Sequence, residues 1–441
     1  MRLNPEFRRN LWLELSLHRM ILLGGALAGV FVLVGVFSPR NVVANVALAT
    51  FVLAAMAWGS HRAGDSVLDE LRERTWDAQR MSALGPWSMT WGKLCGATFI
   101  PWFVGVISIG VYLFERQGLT ILERLQVVAA FTAGAVLVQA LSLIGALIGT
   151  RFDKTAKSTL MSWAAVGTLG LLWSYFSFYY RSDDAIFWYG SAYDRFNFLT
   201  VSLFALCAWV TFGAYRLMCT ELAVATRPWA WTAFVLYLTI YFAGGFIPVL
   251  DPLSRSLSVF AAMGLVVSIG LTYISAFALY RDPLAFRRLK HYAETGRWRR
   301  FLEAIPIWMA SLGAAALFTI ACVALHFMPH YSLQRIENVG LTAVPIWFVT
   351  LTILALLYYF TYGGSNRRVE TTTIICLVLL YWLLPVIIES LGLVTLSWLF
   401  RPPMWDRPVL SAFIIGVHFL VAGTLCYRRY YARIAPTISL S

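Results

Sequence analysis

Residues 127–148 read VVAAFTAGAVLVQALSLIGALI, with no Asp, Glu, Lys or Arg among them. A helix needs roughly 20 such residues to cross the hydrocarbon core of a bilayer, where every backbone N–H and C=O must be bonded within the protein. The pattern repeats outward along the whole chain, at residues 20–37, 42–58, 95–114, 160–180, 196–215, 229–250, 257–280, 307–327, 339–360, 371–388 and 409–427. None of these runs carries a charged side chain. With 59% of its 441 residues hydrophobic and only 13% charged, the chain is built for lipid as its main solvent. The expected fold is all-α and polytopic, with about 12 transmembrane helices.

The formal net charge of +13 raises nucleic acid as a partner, but the placement of the cations argues against it. With the amino terminus in the cytoplasm, 26 of the 35 Lys and Arg residues fall in cytoplasmic segments and 9 outside. That bias is the one expected of a multi-pass protein of the cell (inner or plasma) membrane with both termini inside. Cys95, Cys207, Cys219, Cys322, Cys376 and Cys426 lie in or beside the apolar runs, without CxxC spacing, and read as small apolar fillers. The start of the chain carries Glu6 and Glu14 among its cations and has no small-residue cleavage site, so no removable signal peptide is expected. His326 and His330 have the spacing of a helical metal pair, yet Pro329 lies between them and no carboxylate or Cys completes a set; no metal is expected. Gln139 and His418, polar groups inside apolar runs, read as inter-helix hydrogen bonders, and Glu389 as a solvated residue at the outer end of a span.

Residues 1–19 form an amphipathic interfacial element: Asn4 can cap a helix opened by Pro5, and Phe7, Leu11 and Leu15 then share a face turned to the membrane surface. Two cytoplasmic loops are long, 59–94 and 281–306, and the other connections are short. They follow the second and eighth runs, so residues 219–228 form a short cytoplasmic link between halves at 20–218 and 229–441, a parallel six-plus-six arrangement. Trp173, Tyr175, Phe176, Phe178, Tyr179 and Tyr180 crowd the outer end of the fifth run as an interfacial aromatic belt.

The first long loop carries the functional argument. Asp65, Asp69, Glu70, Arg72, Glu73, Arg74, Asp77 and Arg80 stud a helix on which Leu68, Leu71 and Thr75 share a half-buried face. Gly85 suits a helix end and Pro86 the first turn of the next helix, which Trp87, Trp91 and Lys93 lead into the third run. The reading is a helical hairpin over 65–94 tucked under the membrane. Its string Arg72-Glu73-Arg74-Thr75-Trp76-Asp77, then Leu84-Gly85-Pro86-Trp87, then Gly92-Lys93-Leu94, resembles the coupling-helix signature of ABC-2 type permeases. Thr75 matches the family's threonine, Asp77 its acidic residue and Gly92-Lys93 its closing pair. Arg74 stands where the family has glycine, and Trp76 where it has leucine, so the turn there is expected to be packed tighter or to be absent. The resemblance extends over roughly residues 4–215.

That resemblance implies a permease subunit of an ATP-driven exporter, coupled to a separate ABC ATPase through Glu70, Glu73, Arg74, Thr75, Asp77, Arg80 and Lys93. Arg151, Asp153 and Lys154, between the fourth and fifth runs, are a second expected contact. The chain has no GxxxxGK loop and no LSGGQ string, so no cofactor is expected on it; ATP-Mg belongs to the partner, and the chain is expected not to be an enzyme itself. A homodimer or a second permease as partner is compatible with the pattern, and the apolar spans lean toward an unidentified hydrophobic or amphipathic substrate. The second long loop, with Arg281, Asp282, Arg297, Trp298, Arg299, Arg300 and Glu303, reads equally as a second coupling element or as a basic loop on anionic lipid headgroups. The rival function is a twelve-helix secondary transporter driven by an ion gradient; it would be served by an Asp or Glu embedded in a span, and would carry a G-x-x-x-D-R-x-G-R-R turn where this chain has His61-Arg62-Ala63-Gly64-Asp65. An intramembrane transferase would need acidic or His residues gathered at one interface, and the sequence offers none.

Overall fold

The computed structural model describes residues 4–82, 84–149, 185–224, 226, 229–247, 253–278, 281–282, 284–328, 339–363, 368–401 and 407–433. The expected span at 160–180, the aromatic belt at its outer end, His330, and Arg151, Asp153 and Lys154 lie outside these residues. Among the described residues nine helices are long and apolar enough to cross a bilayer: Leu17–Phe37, Arg40–Arg72, Ile121–Gly149, Arg195–Glu221, Ser256–Ala278, Ile307–His326, Gly340–Thr361, Val369–Ser390 and Pro408–Arg433. Pro86–Gly96 and Phe99–Glu115, bent by 53° to one another, make a tenth if taken as one broken span. Their outer faces are rows of exposed Leu, Ile, Val and Phe, such as Ile21, Leu33, Val36 and Phe37 on the first. Water would not tolerate so much apolar surface, and lipid does. The protein is an all-α, multi-pass membrane protein.

The chain forms two compact units, one of Met1–Ile186 with Tyr193–Thr226, the other of Phe187–Ala192 with Arg227–Ser441. In the first, α1 (Pro5–Glu14) precedes α2 (Leu17–Phe37) and α3 (Arg40–Arg72). Then come two short helices, α4 (Trp76–Arg80) and α5 (Pro86–Trp91), followed by α6 (Phe99–Glu115), α7 (Ile121–Gly149) and α8 (Arg195–Glu221). Small residues on α3, Ala44, Ala47 and Ala55, let Phe51 and Met56 pack against Phe131 and Ala135 of α7.

The second run does not stop at Trp58, where the sequence suggests that a loop begins. α3 continues unbroken to Arg72 because Ala63, Gly64 and Val67 remain buried on the face turned to α7. At Gly64 a Cβ would stand 2.8 Å from the Ser142 hydroxyl, so the close approach of the two helices depends on glycine. Residues 52–58 widen into π turns, which leave carbonyls without their usual partners. Gln139 of α7, 1% exposed, serves one of them: its Nε2 donates to the Ala55 carbonyl at 2.8 Å while Trp102 Nε1 donates to its Oε1 at 3.2 Å. The inter-helix role expected of Gln139 is the one observed.

In the second unit, α9 (Trp229–Gly244) is shorter than the run at 229–250 suggested. A two-stranded hairpin, Ile186–Trp188 and Ser191–Tyr193, is the departure from all-α structure among the described residues. Its tip occupies the end of α9: Trp188 Nε1 donates to the Tyr241 carbonyl at 3.0 Å, and the Tyr189 N–H to that of Gly244 at 2.7 Å. The last carbonyls of the helix are thus taken by the hairpin instead of by a further turn. α10 (Leu253–Ala278), α11 (Ala285–Glu294), α12 (Trp298–Ala304), α13 (Ile307–His326) and α14 (Val339–Thr361) follow. His418 lies 3.2 Å from the Tyr381 hydroxyl, an inter-helix bond again. Glu389, expected to be solvated, instead receives the Ser397 hydroxyl at 2.9 Å and pairs with Arg401 at 2.5 Å.

Candidate functional site

The hairpin begins where α3 ends. The Thr75 N–H reaches the Glu70 carbonyl at 2.9 Å and the Arg74 N–H the Leu71 carbonyl at 3.3 Å, while Arg74 adopts φ +59°. This is a Schellman ending, which normally has glycine in the left-handed position. The turn is therefore present and not lost, formed by Arg74 in the left-handed conformation that ordinarily suits glycine. A non-glycine residue there costs on the order of 1–3 kcal/mol, offset in part by the greater freedom glycine gives the unfolded chain. Arg74→Gly is accordingly expected to hold or raise stability, by about 1 kcal/mol or less, read as an unchanged or higher unfolding midpoint in detergent. A clear fall would show that the Arg74 side chain supports the turn.

Because α3 ends at Arg72, Thr75 is not on the helical face of Leu68 and Leu71 as the spacing suggested. It belongs to the turn, and its hydroxyl adds a bond to the Glu70 carbonyl at 3.3 Å. α4 then folds back with Trp76 and Gln79 inward. Trp76 joins Val67, Met89 and Leu94 in a core closed by Ala140, Leu143 and Leu147 of α7 and by Ala214 and Met218 of α8. The hairpin therefore plugs one end of the α3–α7–α8 bundle. Arg80 Nε donates to the Glu221 carbonyl at 2.8 Å, which attaches α4 to the C-terminal, electronegative end of α8.

The centre of the site is ionic. Lys93 is fully buried, and its ammonium donates to Glu70 Oε2 at 2.5 Å and to the Ser66 carbonyl at 2.9 Å, with Glu6 Oε1 at 3.9 Å and the Trp76 ring centroid at 5.4 Å. Glu70 Oε1 accepts from Gln79 Nε2 at 2.6 Å and pairs with Arg9, whose guanidinium also lies 3.0 Å from Glu6. Two carboxylates and two cations balance, which is the condition under which buried charges are tolerated.

Two of the four, Glu6 and Arg9, come from α1. Asn4 caps that helix through the Glu6 N–H at 3.0 Å, and the same side chain exchanges bonds with Ser88 of α5, at 2.6 Å to its carbonyl and 2.7 Å from its hydroxyl. Asn10 Nδ2 donates to Glu6 at 3.2 Å and to the Gly92 carbonyl at 3.3 Å. Glu14 pairs with Arg62 at the far end of α1. The buried edge of α1 is thus its polar one, Glu6 and Asn10, while Trp12 and Leu15 are left exposed; Phe7 and Leu11 are half-buried. The helix approaches closely because residues 92–96 read GKLCG, with glycine at each end of a π turn. A Cβ on Gly92 would stand 2.4 Å from Glu6 Cγ, and one on Gly96 2.8 Å from Asn10 Cβ.

The residues expected to couple divide into three sets. Glu70 and Lys93 are buried and paired with one another at the base of the hairpin. Glu73, Arg74 and Asp77 are exposed, with Met81 beside them at 84% exposure. Thr75 and Arg80 link the exposed tip to what lies beneath it. Sequence reasoning missed Glu6, Arg9, Asn10 and Gln79 as members of the cluster. The signal for the first three was the G-x-x-x-G spacing of Gly92 and Gly96, which marks a place where a second helix comes close. Compared with known protein families, curated proteins and solved structures, the chain matches none.

Proposed function

We propose that this chain is the membrane-spanning subunit of an ATP-driven exporter of the ABC-2 type, coupled to a separate ATPase through the tip of the hairpin at 65–94. In this reading it has twelve spans in a parallel six-plus-six order, lies in the cell membrane with both termini in the cytoplasm, and moves a hydrophobic or amphipathic substrate outward. ATP-Mg is bound and hydrolysed by the partner. The observation that carries the proposal is the contrast between the hairpin's exposed charged knuckle, Glu73, Arg74, Asp77 and Met81, and its ionic base, where buried Glu70 and Lys93 meet buried Glu6 and the partly exposed Arg9 of α1. A push on α4 cannot be absorbed by side-chain rearrangement, because Trp76 and Gln79 are packed and bonded beneath it. It passes instead into α3, a single helix about 50 Å long, and through Lys93 into the segment that leads to α6.

The charge reversals Glu73→Lys and Asp77→Lys test this directly. Both side chains are exposed, so the double variant is expected to fold and to purify as the wild type does. It is also expected to lose co-purification with a co-expressed ABC ATPase and to lose stimulation of that ATPase's hydrolysis. Undiminished transport by the double variant would overturn the proposal. So would labelling that finds a cysteine at position 73 accessible only from outside the cell. The secondary-transporter reading gains one observation, the burial of Glu6 and Glu70 in place of the missing embedded carboxylate. It predicts transport that stops when the ion gradient is collapsed and continues when ATP is depleted, the reverse of the exporter's behaviour.

A further inference from the structure

The second long loop is not used by the coupling reading, and its surface has a chemistry of its own. α11 turns Phe286 and Leu289 inward: Leu289 is 5% exposed, and the Phe286 ring lies 6.2 Å from Trp308 and 5.5 Å from Tyr358. Its other face carries Arg287, Arg288, Lys290 and His291 to the outside. A turn at Gly296, φ +66°, leads into α12, where Trp298 is followed directly by Arg299 and Arg300. Leu284, Trp298 and Leu302 are 46%, 64% and 47% exposed, apolar groups interleaved with cations on one surface.

Part of that charge is answered within the element. Arg288 pairs with Asp282, Lys290 with Glu294 at 3.8 Å, and Arg299 with Glu303 at 3.4 Å. Arg287, Arg297 and Arg300 meet no acidic side chain among the described residues. Chain connectivity fixes where this surface lies. The element leaves α10 at Ala278 and enters α13 at Ile307, so both of its ends are at span ends on the same membrane face. Arg281 secures the entry: its guanidinium bonds the Ala276 carbonyl at 2.8 Å and Glu370 at 2.6 Å.

We infer that residues 284–303 form a binding surface for anionic phospholipid headgroups, with Arg287, Arg297 and Arg300 meeting the phosphates and Trp298 and Leu302 entering the interfacial layer. Charge complementarity selects this occupant. A cation close to an anionic leaflet gains about fivefold in partition, which is lost when the charge is removed. Trp is the side chain best suited to the headgroup level, having an apolar ring and an N–H. An acidic protein would answer the cations but would leave Trp298 and Leu302 unexplained at the edge of a bilayer that already accommodates such groups. The inference does not depend on the transport reading.

Hydrogen exchange on the full chain in nanodiscs tests it. Amides of 284–304 are expected to exchange at least about fivefold more slowly in phosphatidylcholine containing phosphatidylglycerol than in phosphatidylcholine alone. High salt should restore the faster rate. In the triple variant Arg287→Gln, Arg297→Gln and Arg300→Gln, the rate in phosphatidylcholine should be unchanged and the difference between the two lipids should vanish. Equal exchange in the two lipids would overturn the inference, as would a difference that survives in the triple variant. Slowing by inorganic phosphate in phosphatidylcholine discs would assign the surface to a free anion, and slowing only on addition of a soluble protein would assign it to a protein partner; either result counts against a lipid surface.

Discussion

Lys93→Met is expected to loosen the hairpin and to lower stability by about 3 kcal/mol, at the lower end of what removing one partner from a buried ion pair costs. The low end applies because Glu70 would retain Gln79 and Arg9, and Arg9 would still reach Glu6. Arg9 is 42% exposed, however, and solvent screens its share, so it does not replace a fully buried ammonium. The Ser66 carbonyl would lose a donor at the same time. Removing both charges removes the imbalance: Glu70→Met with Lys93→Met is expected to recover at least half of the loss, since a buried pair exchanged for apolar groups of similar volume is often neutral. Thermal unfolding of the two variants in detergent would show it. A Lys93→Met protein as stable as the wild type would mean that the cluster is not under tension from buried charge at all.

The apolar runs made most of the bundle legible, because lipid imposes one rule on every span and that rule is written in composition. Helix ends were less legible wherever tertiary contacts decide them. α3 continues past Trp58 because Ala63, Gly64 and Val67 pack on α7, and nothing in a charged string such as HRAGDSVLDELR announces that packing. α9 stops at Gly244 because a hairpin from elsewhere in the sequence takes its carbonyls. At the site, the hairpin and its charged tip were visible in the local sequence, and so was the Gly92-Lys93 pair. What the sequence could not give was the direction of each charge. Glu70 and Glu73 are three residues apart and alike in chemistry, yet one is buried against Lys93 and the other is exposed, a difference set by the helix ending between them. The contribution of α1 was hidden for a related reason. The apolar spacing of Phe7, Leu11 and Leu15 drew the reading to the membrane face, while the contact that fixes the helix is made by Glu6 and Asn10.

Gly92→Ala isolates that contact. Alanine is the better helix former by about 1 kcal/mol, so in an open position the change should stabilise. Gly110, in α6, is such a position, with nothing within 4 Å of the place a Cβ would take, and Gly110→Ala is expected to leave the protein unchanged or slightly more stable. At Gly92 the same methyl group would stand 2.4 and 2.5 Å from Glu6 Cγ and Cβ and 3.0 Å from the Phe7 nitrogen. A flexible side chain could move from the first two, but the nitrogen belongs to the backbone of α1, so the whole helix must shift. Shifting it draws Glu6 and Arg9 out of the cluster and leaves Lys93 with Glu70 alone among the charged partners. The expected result is detachment of α1: faster hydrogen exchange over Pro5–Glu14 by tenfold or more, corresponding to about 1.4 kcal/mol, and new protease sensitivity there, with the spans still protected. If coupling passes through the base of the hairpin, the variant should also bind the ATPase normally while stimulating its hydrolysis less, because the knuckle is intact and only its support is loosened. Unchanged exchange over α1 in Gly92→Ala, alongside an equally unchanged Gly110→Ala, would show that the close approach at Gly92 does not hold the helix, and the support of the hairpin would then rest on Lys93 and Glu70 without α1.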